Sequence, residues 1–132
     1  MSFKLFLVLI ALAFCGKLEN TFLVPKDQSQ VTVSVKAGEP FSVEVEGNPT
    51  TGYLWFLTKQ SNALTATNLE EDGSGAFTPQ KVAKGFAGAG GRFNFDFVAP
   101  KPTNDLVEIE LEYRRPWEPE AIKKVVVKVH VN

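Results

Sequence analysis

Most of the chain alternates apolar and polar residues with a period of two, and this pattern constrains the fold more than any other feature. Successive side chains of a strand point to opposite faces of a sheet, so each alternating run predicts a strand with one apolar face. No segment shows a convincing helical stripe, so the chain is predicted to be all-β. The runs are VTVSV at 31–35, FSVEVE at 41–46, RFNFDFV at 92–98, VEIELEY at 107–113 and VVVKVHV at 125–131.

Clusters of glycine, proline and asparagine separate these runs and indicate turns. They are AGEP at 37–40, GNPTTG at 47–52, EDGSG at 71–75, GAGG at 88–91, APKPTND at 99–105 and RRPWEP at 114–119. Short strands with turns between them and no crossover helices predict an immunoglobulin-like antiparallel β-sandwich. A small barrel is the alternative architecture. The sequence contains no internal repeat and no linker, so one domain is expected.

The first residues have the features of a signal peptide. Lys4 precedes an unbroken apolar run at 5–14, which is too short to span a bilayer. Small residues allow cleavage after Ala13 or after Cys15, and the two positions are not distinguished. We expect a signal peptide at 1–15 and a domain at 16–132, in the secretory pathway and either secreted or in lysosome-like vesicles. The alternatives are a lipidated Cys15, which the bulky Phe14 disfavours, and a buried N-terminal strand or helix.

Composition argues against several classes of function. A net charge of -1 and a pI near 5.8 provide no basic field for nucleic acid or for stable binding to anionic membranes. The chain has one histidine and one cysteine, too few for a His/Cys metal site, and His130 lies on a polar strand face. Glu108, Glu110 and Glu112 are predicted to be a solvated strand face, although a glycosidase-type carboxylate pair stays open. We therefore expect no enzyme, no catalytic residue, no metal and no cofactor.

The GNPTTG loop has a composition that favours a stiff backbone. Pro49 fixes its own φ and biases Asn48 towards an extended conformation, while Gly47 and Gly52 permit angles that other residues avoid. The sequence predicts a rigid loop with a small tip. An ordinary β-turn is the other interpretation of this segment.

Two further loops carry residues suited to binding. The glycines of GAGG allow another surface to approach the backbone closely, although a flexible hairpin connection has the same composition. In RRPWEP, Trp117 stands between Pro116 and Pro119 and next to Arg115. Tryptophan and arginine dominate binding hot spots, so Trp117 is predicted to be exposed, against the alternative of a core residue at a strand end. Trp55, inside a strand-like run, is the better candidate for the core.

The three loops together carry a resemblance. NPTTG followed by Tyr53 and Trp55, then G-x-G-G at 88–91, then Arg115-Pro116-Trp117 resembles the chagasin family of proteinaceous inhibitors of papain-like cysteine peptidases. The resemblance covers the mature domain, but residues 60–86 match no pattern from which a role can be assigned. It implies that the loops gather at one end of the sandwich into a wedge that enters the peptidase cleft. The implied peptidase-binding residues are Asn48, Pro49, Thr50, Thr51, Gly52, Gly88, Ala89, Gly90, Gly91, Arg115, Pro116 and Trp117.

Each loop has an implied role. Thr50 and Thr51 would lie over the catalytic cysteine, the glycine loop would line one side of the cleft, and Arg115 and Trp117 would bind the other side. The partners would be papain-like cysteine peptidases, endogenous or foreign, and a monomer would suffice. The alternative function is a secreted immunoglobulin-like binding or adhesion module, which could bind carbohydrate through Trp117.

Overall fold

The computed structural model describes residues 20–80 and 90–132. The predicted signal peptide at 1–15, with both candidate cleavage positions, lies outside the described residues. Two of the predicted peptidase-binding residues, Gly88 and Ala89, also lie outside them.

The described chain is built from strands, as the alternating pattern predicts. Its strands are β1 (Thr21–Leu23), β2 (Gln30–Val35), β3 (Phe41–Gly47), β4 (Leu54–Gln60), β5 (Thr65–Ala66), β6 (Ala76–Pro79), β7 (Gly91–Val98), β8 (Val107–Arg114) and β9 (Lys123–Val131). The five alternating runs correspond to β2, β3, β7, β8 and β9. Helical structure in the described residues is limited to a single short 3-10 turn, Pro49–Thr51.

The strands form two sheets. One has the order β1-β3-β7-β5, with β6 also paired to β7, and the other has the order β2-β9-β8-β4. Most neighbours are antiparallel, but β1 pairs with β3 in parallel and β2 pairs with β9 in parallel. Alternation fixes which face of a strand is buried and leaves its direction undetermined. The sandwich is therefore confirmed, with two parallel pairs that the sequence did not predict.

The core lies between the two sheets and consists of the apolar faces of the alternating runs. Phe93, Phe95 and Phe97 of β7 are essentially inaccessible, as are Ile109 and Leu111 of β8 on the facing sheet. The other buried members include Val43 and Val45 of β3, Val125, Val127, Val129 and Val131 of β9, and Trp55 of β4. Burial of apolar surface is the main term that stabilises such a domain.

Candidate functional site

The sheet register brings three connections to one end of the sandwich. Gly47 at the end of β3 pairs with Gly91 at the start of β7. Leu54 at the start of β4 pairs with Arg114 at the end of β8. We call this end the loop end. It carries the first loop (48–53), the described part of the second loop (Gly90) and the third loop (115–122).

The first loop is held by its own hydrogen bonds. Asn48 has the expected extended backbone, and its Oδ1 accepts hydrogen bonds from the backbone N–H of Thr50 at 3.1 Å and from the Thr50 hydroxyl at 2.6 Å. The Thr51 hydroxyl donates to the Asn48 carbonyl at 2.6 Å. Gly52 closes the 3-10 turn by donating to the Pro49 carbonyl at 2.9 Å. These bonds make the loop a preformed turn.

Of the two glycines that flank the first loop, one has the expected unusual backbone angle. Gly52 has φ +89°, in the left-handed region that favours glycine. Gly47 does not have a positive φ. It is the last residue of β3, and a Cβ there would lie only 2.8 Å from the Phe93 ring. The sequence pattern identified both glycines. Gly47, however, is required for close packing against Phe93 and not for an unusual backbone angle.

The first loop contacts both of its neighbours. A Cβ on Gly52 would lie 3.1 Å from Cη2 of Trp117, so the indole packs against this glycine. The Arg115 Nε donates to the Thr51 carbonyl at 3.3 Å. On the other side, a Cβ on Gly90 would lie 2.8 Å from the carbonyl oxygen of Gly47, which immediately precedes the first loop, and 3.7 Å from Cβ of Asn48. The first loop therefore lies between the other two.

A stack of rings connects the core to the exposed end of the third loop. Trp55, only 2% exposed, stacks on Tyr113 with ring centroids 4.8 Å apart, and Tyr113 stacks on Tyr53 at 5.3 Å. The Arg115 guanidinium lies 4.5 Å from the Tyr53 ring centroid and 6.0 Å from that of Trp117. Trp117 is 70% exposed. The predictions that Trp55 is buried and Trp117 is exposed are both confirmed.

Tyr113 joins the stack to the first loop in a way that sequence reasoning missed. Its hydroxyl accepts a hydrogen bond from the Asn48 backbone N–H at 3.2 Å. The sequence signal for Tyr113 was its place on the apolar face of the VEIELEY run. That signal predicts which face of the strand carries the Tyr113 ring. It does not identify the hydrogen-bond partner of the hydroxyl, which is 65 residues away in the chain.

Replacing Tyr113 with phenylalanine should lower the free energy of unfolding by about 1 kcal/mol, because a half-buried hydrogen bond is lost while the stacked ring stays. Chemical denaturation measures this effect. Tyr53→Phe is the matched control, since it removes the hydroxyl of the neighbouring ring and leaves the Asn48 contact intact. Equal stability losses in the two variants would contradict the assigned role of the Tyr113 hydroxyl.

Charged residues of opposite sign lie next to each other on the outer face of β8 and β9. Glu108 faces Lys128 across the strands, Glu112 faces Lys124, and Glu110 lies 3.7 Å from the Lys124 ammonium. Exposed ion pairs of this kind contribute little to the stability of the fold. Among residues 20–80 and 90–132, no group of three or more His, Cys, Asp or Glu side chains could hold a metal ion. The same described ranges contain no helix long and apolar enough to cross a membrane.

Comparison with known proteins identifies relatives over most of the chain. The family model described as chagasin family peptidase inhibitor I42 matches residues 34–131. The chain is 28% identical over 108 residues to Amoebiasin-1 of Entamoeba histolytica, covering 81% of this chain and 96% of that protein.

Solved structures share the fold. The cysteine protease inhibitor EhICP2 from Entamoeba histolytica superposes with a TM-score of 0.66 at 17% identity, over 89% of this chain and all of that one. Amebosin gives 0.62 at 27% identity, over 86% and 98% of the two chains. PbICP-C, solved in complex with falcipain-2, gives 0.62 at 20% identity, over 86% and 99%.

Proposed function

This chain belongs to the chagasin family of peptidase inhibitors, and we propose that it inhibits papain-like cysteine peptidases by inserting its loop end into their active-site cleft. The observation that carries this mechanism is that the three loops lie side by side: Arg115 is hydrogen-bonded to Thr51, and Gly90 packs closely against Gly47 and Asn48. Together they form one surface at the end of the sandwich. The protein acts as an inhibitor and not as an enzyme.

The first loop has the properties needed at the tip of such a wedge. Thr50 and Thr51 are exposed, while their hydroxyls are bonded to Asn48 within the loop. A loop that is already hydrogen-bonded loses little conformational entropy on binding. A fixed turn also keeps its peptide bonds out of attack geometry towards a catalytic thiolate. The tip therefore occludes the cysteine and resists cleavage.

The flanking loops contact the two walls of the cleft. On one side, Gly90 is half-buried and offers a surface without a side chain, and Gly88 and Ala89 would extend this contact. Gly91 is buried in β7, where it pairs with Gly47 and Pro79, so it supports the loop from within the sheet. On the other side, Trp117 offers an exposed indole of the kind that dominates protein interfaces, with Arg115 and Pro116 beside it. Asn48, Pro49 and Gly52 support the tip and set its shape.

The relatives support the class of target. EhICP2 is a cysteine protease inhibitor, and PbICP-C forms a complex with the peptidase falcipain-2. We extend that class to this chain because the motifs of its three loops are complete. The targets can be the organism's own peptidases or foreign ones, and a monomer presents the whole surface.

We also propose that the chain enters the secretory pathway, where it is secreted or held in lysosome-like vesicles. Lys4 and the apolar run at 5–14 support a signal peptide at 1–15. A domain at 16–132 would then be released and would meet peptidases of the same compartments. Amino-terminal sequencing of the protein purified from its cells tests this proposal, and a retained Met1 would contradict it.

Competition for the cleft tests the proposed mode of binding. Papain whose cleft is filled by a covalent peptide-like inhibitor should lose all measurable binding, because that inhibitor occupies the space that the wedge needs. Papain whose thiol carries only a carboxymethyl group is the control, and it should retain part of the affinity. Equal binding to the filled and the free enzyme would place the contact outside the cleft.

A further inference from the structure

The third loop, which carries Trp117, is contacted by a residue to which no role has been assigned, Arg114. Arg114 ends β8, and its guanidinium lies over the Phe56 ring, 4.3 Å from the ring centroid. Phe56 is 4% exposed but does not belong to the main core cluster. Strand alternation places it on the face of β4 opposite its neighbour Trp55. Arg114 and Phe56 therefore form a separate stacked pair on the outer face of the sheet.

The same guanidinium binds the backbone of the third loop. Its Nη1 donates towards the carbonyl oxygens of Arg115 at 3.3 Å, Pro116 at 3.4 Å and Glu118 at 3.3 Å. The three acceptors lie on both sides of Trp117 in the sequence. One planar cation thus ties both flanks of the exposed indole to a buried ring.

A neighbouring turn at residues 73–75 is hydrogen-bonded to β4 on both sides of Phe56. The backbone N–H of Leu57 donates to the Gly73 carbonyl at 3.0 Å, and that of Gly75 donates to the Trp55 carbonyl at 3.1 Å. In this turn, hydrogen bonds from Ser74 lower the pKa of Asp72, and the positive charge of Arg114 lowers it further. Asp72 and Arg114 therefore interact electrostatically. This segment falls within 60–86, where the sequence predicts a turn at 71–75 but the family resemblance assigns no role.

We propose that Arg114 is a positioning residue for peptidase binding, which clamps the third loop onto Phe56 so that Trp117 is presented in its binding shape. The inference rests on the proposed function. Trp117 is 70% exposed, so its contacts with the domain are few and its position depends on the loop backbone. Without the clamp, the third loop would be less ordered in the free protein. The conformational entropy lost on ordering it would then be lost on binding and would lower the affinity.

The first test measures the free protein. In Arg114→Gln, the backbone amides of Trp117 and Glu118 should show lower order parameters in NMR relaxation and faster hydrogen exchange, while amides of β8 and β9 stay protected. Arg114→Lys should loosen the loop as well, because an ammonium lacks the planar guanidinium that lies over the Phe56 ring. Unchanged amide dynamics in Arg114→Gln would overturn the clamp.

The second test measures binding to papain in a double-mutant cycle. Arg114→Gln should raise the Kd about tenfold, mostly through faster dissociation, and should raise it less than about twofold when Trp117 is already alanine. A merely structural role would give the same factor in both backgrounds, and that result would overturn the proposal. Lys124→Gln is the control for loss of a cation on the same sheet, and it should leave the Kd unchanged.

The two tests separate this inference from the proposed function. A loosened third loop in a protein that binds no papain would support the clamp and contradict inhibition. A third loop of normal order together with tight papain binding in Arg114→Gln would contradict the clamp and support inhibition. If Arg114→Gln unfolds the domain, the dynamics of Phe56→Leu give a second measure: removal of the stacked ring should loosen Trp117 in a variant that keeps its arginine.

Discussion

Replacing Trp117 with alanine should weaken papain binding by about 2 to 4 kcal/mol, the range of a central hot-spot residue. The indole is 70% exposed in the free protein, with its edge packed against Gly52. Its large apolar surface is therefore available to a partner. Because the side chain buries little in the fold, the free energy of unfolding should change by less than about 1 kcal/mol.

Leu106 provides the matched control for this prediction. It is another exposed apolar residue, 47% accessible, and it immediately precedes β8 at the end of the sandwich opposite the loop end. Leu106→Ala should leave the papain affinity unchanged. If Trp117→Ala instead lowered stability and left affinity intact, the indole would be a structural residue and the third loop would not contact the peptidase.

Replacing Thr51 with tryptophan should weaken inhibition by about 3 kcal/mol or more, because a bulky side chain at the tip prevents the wedge from entering a narrow cleft. The change also removes the hydroxyl that donates to the Asn48 carbonyl. Thr51→Val removes the same hydroxyl without adding bulk and should retain most of the affinity. The inhibition constants of the two variants therefore separate obstruction from loss of the turn.

A tryptophan elsewhere on the surface controls for general effects of the bulky residue. Thr65 in β5 is exposed and pairs with Val98 at the end of β7 away from the loop end. Thr65→Trp should inhibit papain as well as the unmodified protein does. An unaltered inhibition constant in Thr51→Trp would show that the first loop does not enter the cleft.

The sequence predicts the sheet architecture well where strands are long and regular. β3, β7, β8 and β9 alternate over six residues or more, so their buried faces follow directly from side-chain geometry. The two-residue strand β5 has no such signal, because its pairing with the end of β7 depends on tertiary contacts. The parallel directions of β1 and β2 are likewise set by the path of the chain between the two sheets and by no local pattern.

The candidate site shows the same division between local and long-range information. Proline and glycine chemistry predicts the extended Asn48 and the left-handed Gly52, because both conformations are decided within a few residues. The roles of Tyr113 and Arg114 depend on the pairing of β4 with β8, whose partners are more than 45 residues apart. Sequence reasoning therefore identified the loop residues that we propose face a peptidase, but it missed the residues that hold those loops in place.

The central claim is that the loop end blocks a papain-like active site without being consumed. Titration of a known concentration of papain with the purified protein, followed by mass spectrometry of the inhibitor, tests it most directly. We predict that activity falls linearly to zero at one inhibitor per active site and that the recovered inhibitor is intact. Full papain activity at a molar excess of folded protein, or recovery of a protein cleaved within residues 48–53, would contradict the account.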